Sequence, residues 1–514
     1  MKNILLIILL SLPGFIFAQL VNDFRVNDDT TTYNQGNAQL GVDKLGNFII
    51  VWEDGRRNGR GNIYCQRFDS SAHRLGNNFT INTVLDTATY PYISVRKDGS
   101  FGVCWFETNS TIGNTSRIKF RLFNNFGTPL NNELILIDNS IAVTISPYIS
   151  IGCDTTGKFV VALQYNSDIF YQRIDKYGNK TGNAVKINDD TGSYGQGYPN
   201  ISVKQDGSFI VCWQDSRPPV PYWDASDIFM QMYDSSATKI GNNIRVNDII
   251  NLQDAEYEPS ISSDTSGAFC IIFSRWNFIP NTTNAVIQFY NRNGNKIGNN
   301  ANVVSSIDAY GKVMRKRSNG DMIIGYTFYN GFLTRQYIQR RKASGEVLGN
   351  VFQVSNQSTN LSNWFGDATL FNNKIISVIS DERNGNSDIF CNIRSFTNPD
   401  SITSITPVST ETPSKYSLSQ NYPNPFNPVT KIRFSVPQVR LHFGGSSPRV
   451  LGGDLVQLKV YDVMGREVQT LVNESLKPGT YEVTFDGSTL NSGVYFYKLV
   501  TDGFTETKKM LLIK

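Results

Sequence analysis

One strand motif returns seven times along this chain at a spacing of about fifty residues. Its clearest copy is Asp206-Gly207-Ser208-Phe209-Ile210-Val211-Cys212-Trp213-Gln214-Asp215-Ser216-Arg217. The other copies begin near Gly46, Gly99, Gly157, Gly267, Gly320 and Lys374. A unit of this size cannot bury its apolar face alone, so neighbouring copies must stack, and the period points to a propeller or a solenoid.

Each copy reads as four short strands, which in the fourth copy fall at residues 198–204, 208–213, 227–233 and 243–247. The first turn carries Asp-Gly or a wider Asp-x-x-Gly, as at Asp98-Gly99, Asp206-Gly207 and Asp154 with Gly157; such pairs supply the positive φ of tight hairpins. Ser94, Ser150, Ser202 and Ser262 hold matching places in the opening strands, which fits crowding near a central axis. Trp52, Trp105 and Trp213 recur with the strand period and are expected in the core. Aromatic residues make up 12% of the chain, charged ones only 18%, and 41 glycines punctuate it. An all-β protein of short strands and many turns is expected.

The seventh copy starts at Gly366, runs through Asp388-Ile389-Phe390-Cys391 and ends near Phe396 without a fourth strand. A counterpart lies at the other end of the chain. Phe24-Arg25-Val26-Asn27-Asp28 matches the fourth strands Val185-Lys186-Ile187-Asn188-Asp189 and Ile244-Arg245-Val246-Asn247-Asp248. An N-terminal strand that completes the last sheet closes a ring and removes exposed edges, whereas a solenoid gains nothing from it. The expectation is a seven-bladed β-propeller over residues 21–396, with six blades as the alternative. Its architecture, and no more, resembles the sialidase-like propellers, because the Asp-to-Trp spacing is longer than in the Asp box of sialidases.

Residues 1–18 combine a positive start, Met1-Lys2-Asn3, with an apolar stretch from Ile4 to Phe17 that is short for a bilayer. This is the pattern of a signal peptide cut near Ala18-Gln19, and no later apolar run is long enough to cross a membrane. Six cysteines in an exported chain invite disulfides. Cys104 and Cys212, however, hold equivalent places on different repeats, as do Cys65 and Cys391, which sets them too far apart for S–S geometry; buried thiols are expected. A formal charge of +4 with no Lys/Arg run argues against nucleic acid or a membrane surface as main partner, and a monomer is expected.

Residues 397–413 are polar, Pro-containing and aperiodic, the composition of a linker. Residues 414–514 return to period-two runs, as in a small β-sandwich of immunoglobulin size. Here Asn424-Pro425-Phe426-Asn427-Pro428, the turn at Gly465, Gly493-Val494-Tyr495 and the closing stretch with Lys508-Lys509 resemble the type A C-terminal sorting domain of type IX secretion, an FlgD-like Ig fold. The resemblance implies the type IX secretion machinery as partner, with export through the periplasm of a Bacteroidetes-like envelope and then surface attachment or release. Residues 438–454 interrupt it as an insertion, expected to be tolerated as a hairpin-tip loop.

Strand direction places the second-to-third loops and the blade-to-blade loops on one rim of the ring. Three second strands end there with the pairs Asp54/Arg56, Asp215/Arg217 and Asp381/Arg383. Such pairs either bind a polar ligand bidentately or stabilise the blades as ion pairs. Aromatic residues are the second set of candidates: Tyr222 and Trp223 in the long loop of the fourth copy and Trp276 in that of the fifth. Flat rings on a polar face suit sugar stacking or protein contact.

Only His73 and His442 exist, so His-based catalysis and His-rich metal sites are excluded. No cofactor is expected, and structural calcium at the Asp-Gly turns is the one metal worth testing. The leading expectation is a secreted or surface propeller that binds a glycan or a protein through its loop face. The alternative is a glycoside hydrolase or lyase that uses loop carboxylates.

Overall fold

A computed structural model describes residues 19–395 without 58, 84–85, 110–114, 140–144, 193, 218–225, 249–253, 278–281, 304–308, 317–320, 330–333, 343–344, 355–362 and 373. It also describes residues 406–513 without 410–412, 438–439, 442–448, 451–453, 477, 488–489 and 502. The expected signal peptide therefore lies outside the described residues. Among these residues every element is a strand, and no helix is long and apolar enough to cross a membrane. The chain divides into two compact units, with the boundary between Phe396 and Thr397.

In the first unit the described strands form seven four-stranded antiparallel sheets. Their opening strands are Gln35–Val42, Thr87–Val95, Ile145–Cys153, Gln196–Val203, Ala255–Ser263, Ala309–Lys316 and Asn363–Phe371. Each opening strand contacts that of the next sheet, and the seventh returns to the first. This cyclic order of four-stranded sheets is that of a β-propeller. The strands meet closely at the axis: the Ile201 N–H donates to the Ser150 hydroxyl at 3.2 Å, and the Ser202 and Ser263 hydroxyls lie 2.7 Å apart. At Gly41 a Cβ would stand 2.3 Å from a Val95 methyl, so only glycine fits there.

Alternation along the strands fills the spaces between sheets. In the fourth sheet Phe209, Val211, Trp213 and Tyr233 pack with Val160, Ala162 and Ile201. Ile210, Cys212, Met230 and Met232 on the opposite face pack with Ile261, Phe269 and Ile271. Trp52, Trp105 and Trp213 are fully buried, and all six cysteines are free thiols, five of them buried.

The fourth strand of that sheet spans Lys239–Arg245 and so starts before the expected 243–247. A register shift accompanies Gly241, whose φ is 68°. Gln231 fills the irregularity, donating to the Met232 and Gly241 carbonyls at 3.0 and 3.3 Å. Gln66 with Gly76, Gln172 with Gly182 and Gln288 with Gly298 repeat the arrangement. A bulged outer strand that opens on a lysine also resists edge-to-edge pairing.

The seventh sheet is completed from the other end of the chain, as Gln19–Arg25 pairs antiparallel with Asp388–Ser395. Beyond it, Asn27 accepts the Ile389 N–H at 2.9 Å and donates to Asp388 at 2.8 Å. Asn188 treats Ile169 and Asp168 in the same way, and Asn247 treats Ile228 and Asp227 likewise. The N-terminal segment thus fills the place of a fourth strand down to its side-chain bonds.

The second unit holds two four-stranded antiparallel sheets around one core that includes Phe426, Ile432, Val460, Phe485, Tyr497 and Leu512. Thr406–Ser409, within the stretch read from composition as a linker, is a strand paired with Gly479–Asp486. Backbone pairing overrides a polar composition there. Inside the insertion, Arg440–Leu441 pairs with Arg449–Val450.

Candidate functional site

The three Asp/Arg pairs are built as clasps. Asp215 is fully buried and accepts from the Trp213 indole at 2.8 Å, the Arg217 backbone N–H at 3.0 Å, and Arg217 Nε and Nη2 at 2.9 and 2.7 Å. Arg217 Nη1 reaches Asp189, in the preceding repeat, at 2.6 Å, and the guanidinium lies over the Phe229 ring. Asp54 and Arg56 reproduce this with Trp52, Asp28 and Tyr64. Asp381 and Arg383 keep the ion pair and the ring contact with Asp23 and Phe390, but Ile379 stands where the other two have Trp, and Asp23 belongs to the same sheet.

Carboxylate partners raise the pKa of all three guanidinium groups against the opposing effect of burial. In other sheets the pairing keeps its place but changes its residues. Lys119 bridges Glu107 at 2.6 Å and Glu133 at 2.9 Å, and Arg275 meets Glu256 at 2.7 Å. Arg56 and Arg217 spend their bonds holding one repeat to the next, while Arg383, Lys119 and Arg275 pair with Asp23, Glu107 and Glu256 of their own sheets, the ion-pair reading weighed above.

The aromatic candidates separate. Tyr222 and Trp223 lie outside the described residues, and Trp276 is not a loop residue: it sits half-buried in the strand Phe269–Asn277, opposite Ala255 and Thr283. Among the described residues no three His, Cys, Asp or Glu side chains converge as a metal site. The turn aspartates bond the backbone instead, as Asp43 does with the Leu45 and Asn47 N–H groups at 2.8 and 2.9 Å.

A site that the sequence reading passed over lies on the same rim, at the axis. Opening strands start where second strands end, as in the pairs Gln35 with Asp54 and Gln196 with Asp215. All seven opening strands carry a register shift in this part, and in four of them a non-glycine residue sits there at positive φ: Asn37 at 50°, Tyr90 at 51°, Tyr198 at 52° and Glu258 at 48°. Left-handed backbone costs an L-residue about 1 kcal/mol or more, and strain of this kind gathers at binding and catalytic sites.

The bulges deliver side chains to one another. The Tyr148 hydroxyl, from the third sheet, donates to the Tyr198 hydroxyl at 2.8 Å, and their ring centroids are 3.9 Å apart. Burial pushes the pKa of the Tyr92 and Tyr198 hydroxyls up, and Tyr148, Glu258 and Tyr90 add to both shifts. The hydroxyls therefore stay protonated donors. Glu53, whose carboxyl is raised chiefly by burial, accepts from Asn37 Nδ2 at 2.9 Å and from the Tyr90 backbone. Asp367 accepts the Leu40 and Ala368 N–H groups at 3.2 and 2.8 Å.

The mouth thus offers aromatic faces, hydroxyl donors and carboxylate acceptors. The signal in the sequence was the recurrence of Tyr90-Pro91, Tyr198-Pro199 and Glu258-Pro259 at one position of the repeat.

In the second unit the motif residues from both ends of the domain come together. Phe426 is buried in the core, and its backbone bonds Leu511 and Ile513, each at 3.0 Å. Asn424 Oδ1 accepts the Leu511 N–H at 2.9 Å, and the Pro428 carbonyl accepts that of Gly487 at 2.8 Å. Pro425 and Asn427 are exposed between them. Gly465 closes a hairpin at φ 78°, Gly493 pairs with Leu512, and Tyr495 donates to the Asn491 carbonyl at 2.9 Å. Lys508 and Lys509 lie on the last strand, opposite Tyr497 and Phe496.

No curated protein matches the chain. Among solved structures it is similar to the β-propeller domain of the Trilobed protease from Pyrococcus furiosus, at 8% identity and TM-score 0.44, covering 72% of this chain and 98% of that one. It is also similar to the GH93 alpha-L-arabinofuranosidase of Fusarium graminearum, at 10% identity and TM-score 0.43, covering 73% and 98%. For polysaccharide lyase Uly1 the values are 11%, 0.45, 75% and 94%. Residues 420–514 match the family described as the secretion system C-terminal sorting domain, so the chain ends in the domain through which type IX secretion exports its cargo.

Proposed function

We propose that this protein is a seven-bladed β-propeller, delivered by a signal peptide and an Ig-like sorting domain to the cell surface or the medium, that binds a glycan at the axial mouth of its loop rim. The observation that carries the reading is the strained cluster of Tyr90, Tyr148 and Tyr198 beside Glu258. Ring faces stack on the C–H face of a sugar, while protonated hydroxyls and carboxylates pair with its oxygens and hydroxyls. The seven-blade count is supported by the seven sheets and their cyclic contacts. The test is a glycan array probed with the full mature chain: Tyr198→Ala should weaken the signal about tenfold or more, and binding that ignores this change would overturn the reading.

A second reading, hydrolysis or elimination at the same mouth, rests on Glu53, whose raised carboxyl has the character of a general acid. Turnover of a labelled oligosaccharide that is abolished by Glu53→Gln would favour it over binding alone.

A further inference from the structure

We infer that Tyr148 and Tyr198 form a site of oxidative cross-linking, where a one-electron oxidant of the peroxidase class joins the two phenols carbon to carbon and ties the third sheet of the ring to the fourth. The inference does not rest on a saccharide at the mouth. It starts from the geometry of the pair: ring centroids 3.9 Å apart, planes tilted by 30°, and the Tyr148 hydroxyl donating to that of Tyr198 at 2.8 Å. Facing rings with hydrogen-bonded hydroxyls bring the carbons ortho to each hydroxyl side by side, and those are the carbons through which phenoxyl radicals couple.

The backbone holds the pair in place. Tyr198 sits at φ 52° before Pro199, and Tyr148 follows Pro147; each proline fixes its own φ. Just beyond the rings the Ile201 N–H donates to the Ser150 hydroxyl at 3.2 Å, which fastens the two opening strands to each other. Reactants held in this way couple within one molecule and do not wait on diffusion. Two other described tyrosine pairs are placed less well. Tyr171 and Tyr233 meet edge-on at 5.1 Å and 67°, and Tyr326 and Tyr337 stand 5.6 Å apart. Tyr233 and Tyr326 are also buried, whereas Tyr148 and Tyr198 are both half-buried and in part open to a dissolved oxidant.

Each phenol gives one electron to the oxidant and its proton to water. The two radicals then form one bond between ortho carbons, and the hydrogens on those carbons move to the oxygens, which restores both phenols. The two electrons and two protons released reduce one hydrogen peroxide to two waters. The product keeps its hydroxyls side by side, as the pair already does. All six cysteines are free thiols, so the ring carries no disulfide. A bond between positions 50 residues apart would constrain the unfolded chain as a disulfide does, by closing a loop.

The experiment treats the full mature chain with a haem peroxidase and hydrogen peroxide, in parallel with N-acetyltyrosine, whose coupling shows that the oxidant is active. Dityrosine fluorescence and mass spectrometry of the digested monomer read the result. The expected product is a joined peptide pair holding Tyr148 and Tyr198, lighter by two hydrogens than its parts and absent from Tyr148→Phe and Tyr198→Phe. The joined chain should unfold at a higher denaturant midpoint than the untreated one. Unlinked Tyr148 and Tyr198 under conditions that couple N-acetyltyrosine, joining only between separate chains, or dityrosine undiminished in Tyr198→Phe would each overturn the site. An unchanged midpoint in the joined chain would overturn the tie between the sheets.

Discussion

The side chains that first draw the eye, Asp215 and Arg217, show how a functional-looking motif can be spent on architecture. A carboxylate with no exposure is tolerable only with its charge and lone pairs answered, and here an indole, a backbone N–H and two guanidinium nitrogens answer them. Removing one partner of a buried pair costs more than the pair contributes, so Asp215→Ala should lower unfolding stability by about 3 kcal/mol. Denaturant midpoints would show it, with Tyr198-dependent glycan binding unchanged in the folded fraction; weakened binding there would return the clasp to the ligand site.

The motif was legible in the sequence, but its use was not, because the deciding partner, Asp189, lies twenty-eight residues away. A pH effect belongs to the same scale. Thr83 and Lys119 hold the Glu133 carboxyl below its ordinary 4.5, outweighing burial, the largest single effect. The folded state thus binds that proton less tightly than the unfolded chain, so the contribution is present above about pH 4.5 and lost as pH falls below it. Denaturant midpoints of wild type and Glu133→Gln, measured at several pH values, should converge as pH falls through that window and part above it.

Among the elements, the strand at Gln19–Arg25 was readable because its sequence repeats that of other fourth strands, and repetition reports position without any pairing being seen. The bulges of the opening strands were not readable. A one-residue register shift leaves the apolar alternation intact on both sides of it, and nothing in a single strand states how many residues its partner uses. Only the recurring residue-proline pairs mark the place.

The closing strand makes its own prediction. Asn27 satisfies the Ile389 N–H and the Asp388 carboxylate together, and Asn27→Ala leaves both without it. The expected cost is about 1 to 3 kcal/mol, read as a lower denaturant midpoint, with proteolysis starting at the N-terminal strand. An equal loss from Asn247→Ala, inside a continuous sheet, would show that the staple matters equally wherever it stands. No loss at Asn27 would mean that the ring does not depend on that strand.

For the whole molecule, ring and sorting domain answer separate demands, and their sequences carry them differently. The ring is written in a period, which survives drift in any one copy. The sorting domain is written in a motif whose parts lie nearly ninety residues apart and meet only in the fold, where Asn424 and Phe426 bond the strand that carries Leu511.

Two changes at the C-terminus should therefore act alike on export and differently on stability. Deleting residues 413–514 should leave a folded ring in the periplasm, since the core clusters of the ring draw on none of those residues. Phe426→Ala keeps the chain complete but empties a core position, at about 3 to 5 kcal/mol to that domain alone, and should lower surface display in proportion to its unfolding. Cell fractionation with protease shaving would read both. Normal display of the truncated chain would remove the sorting role of the domain, while normal display of Phe426→Ala with a destabilised domain would show that the machinery reads the exposed Pro425 and Asn427 rather than the folded whole.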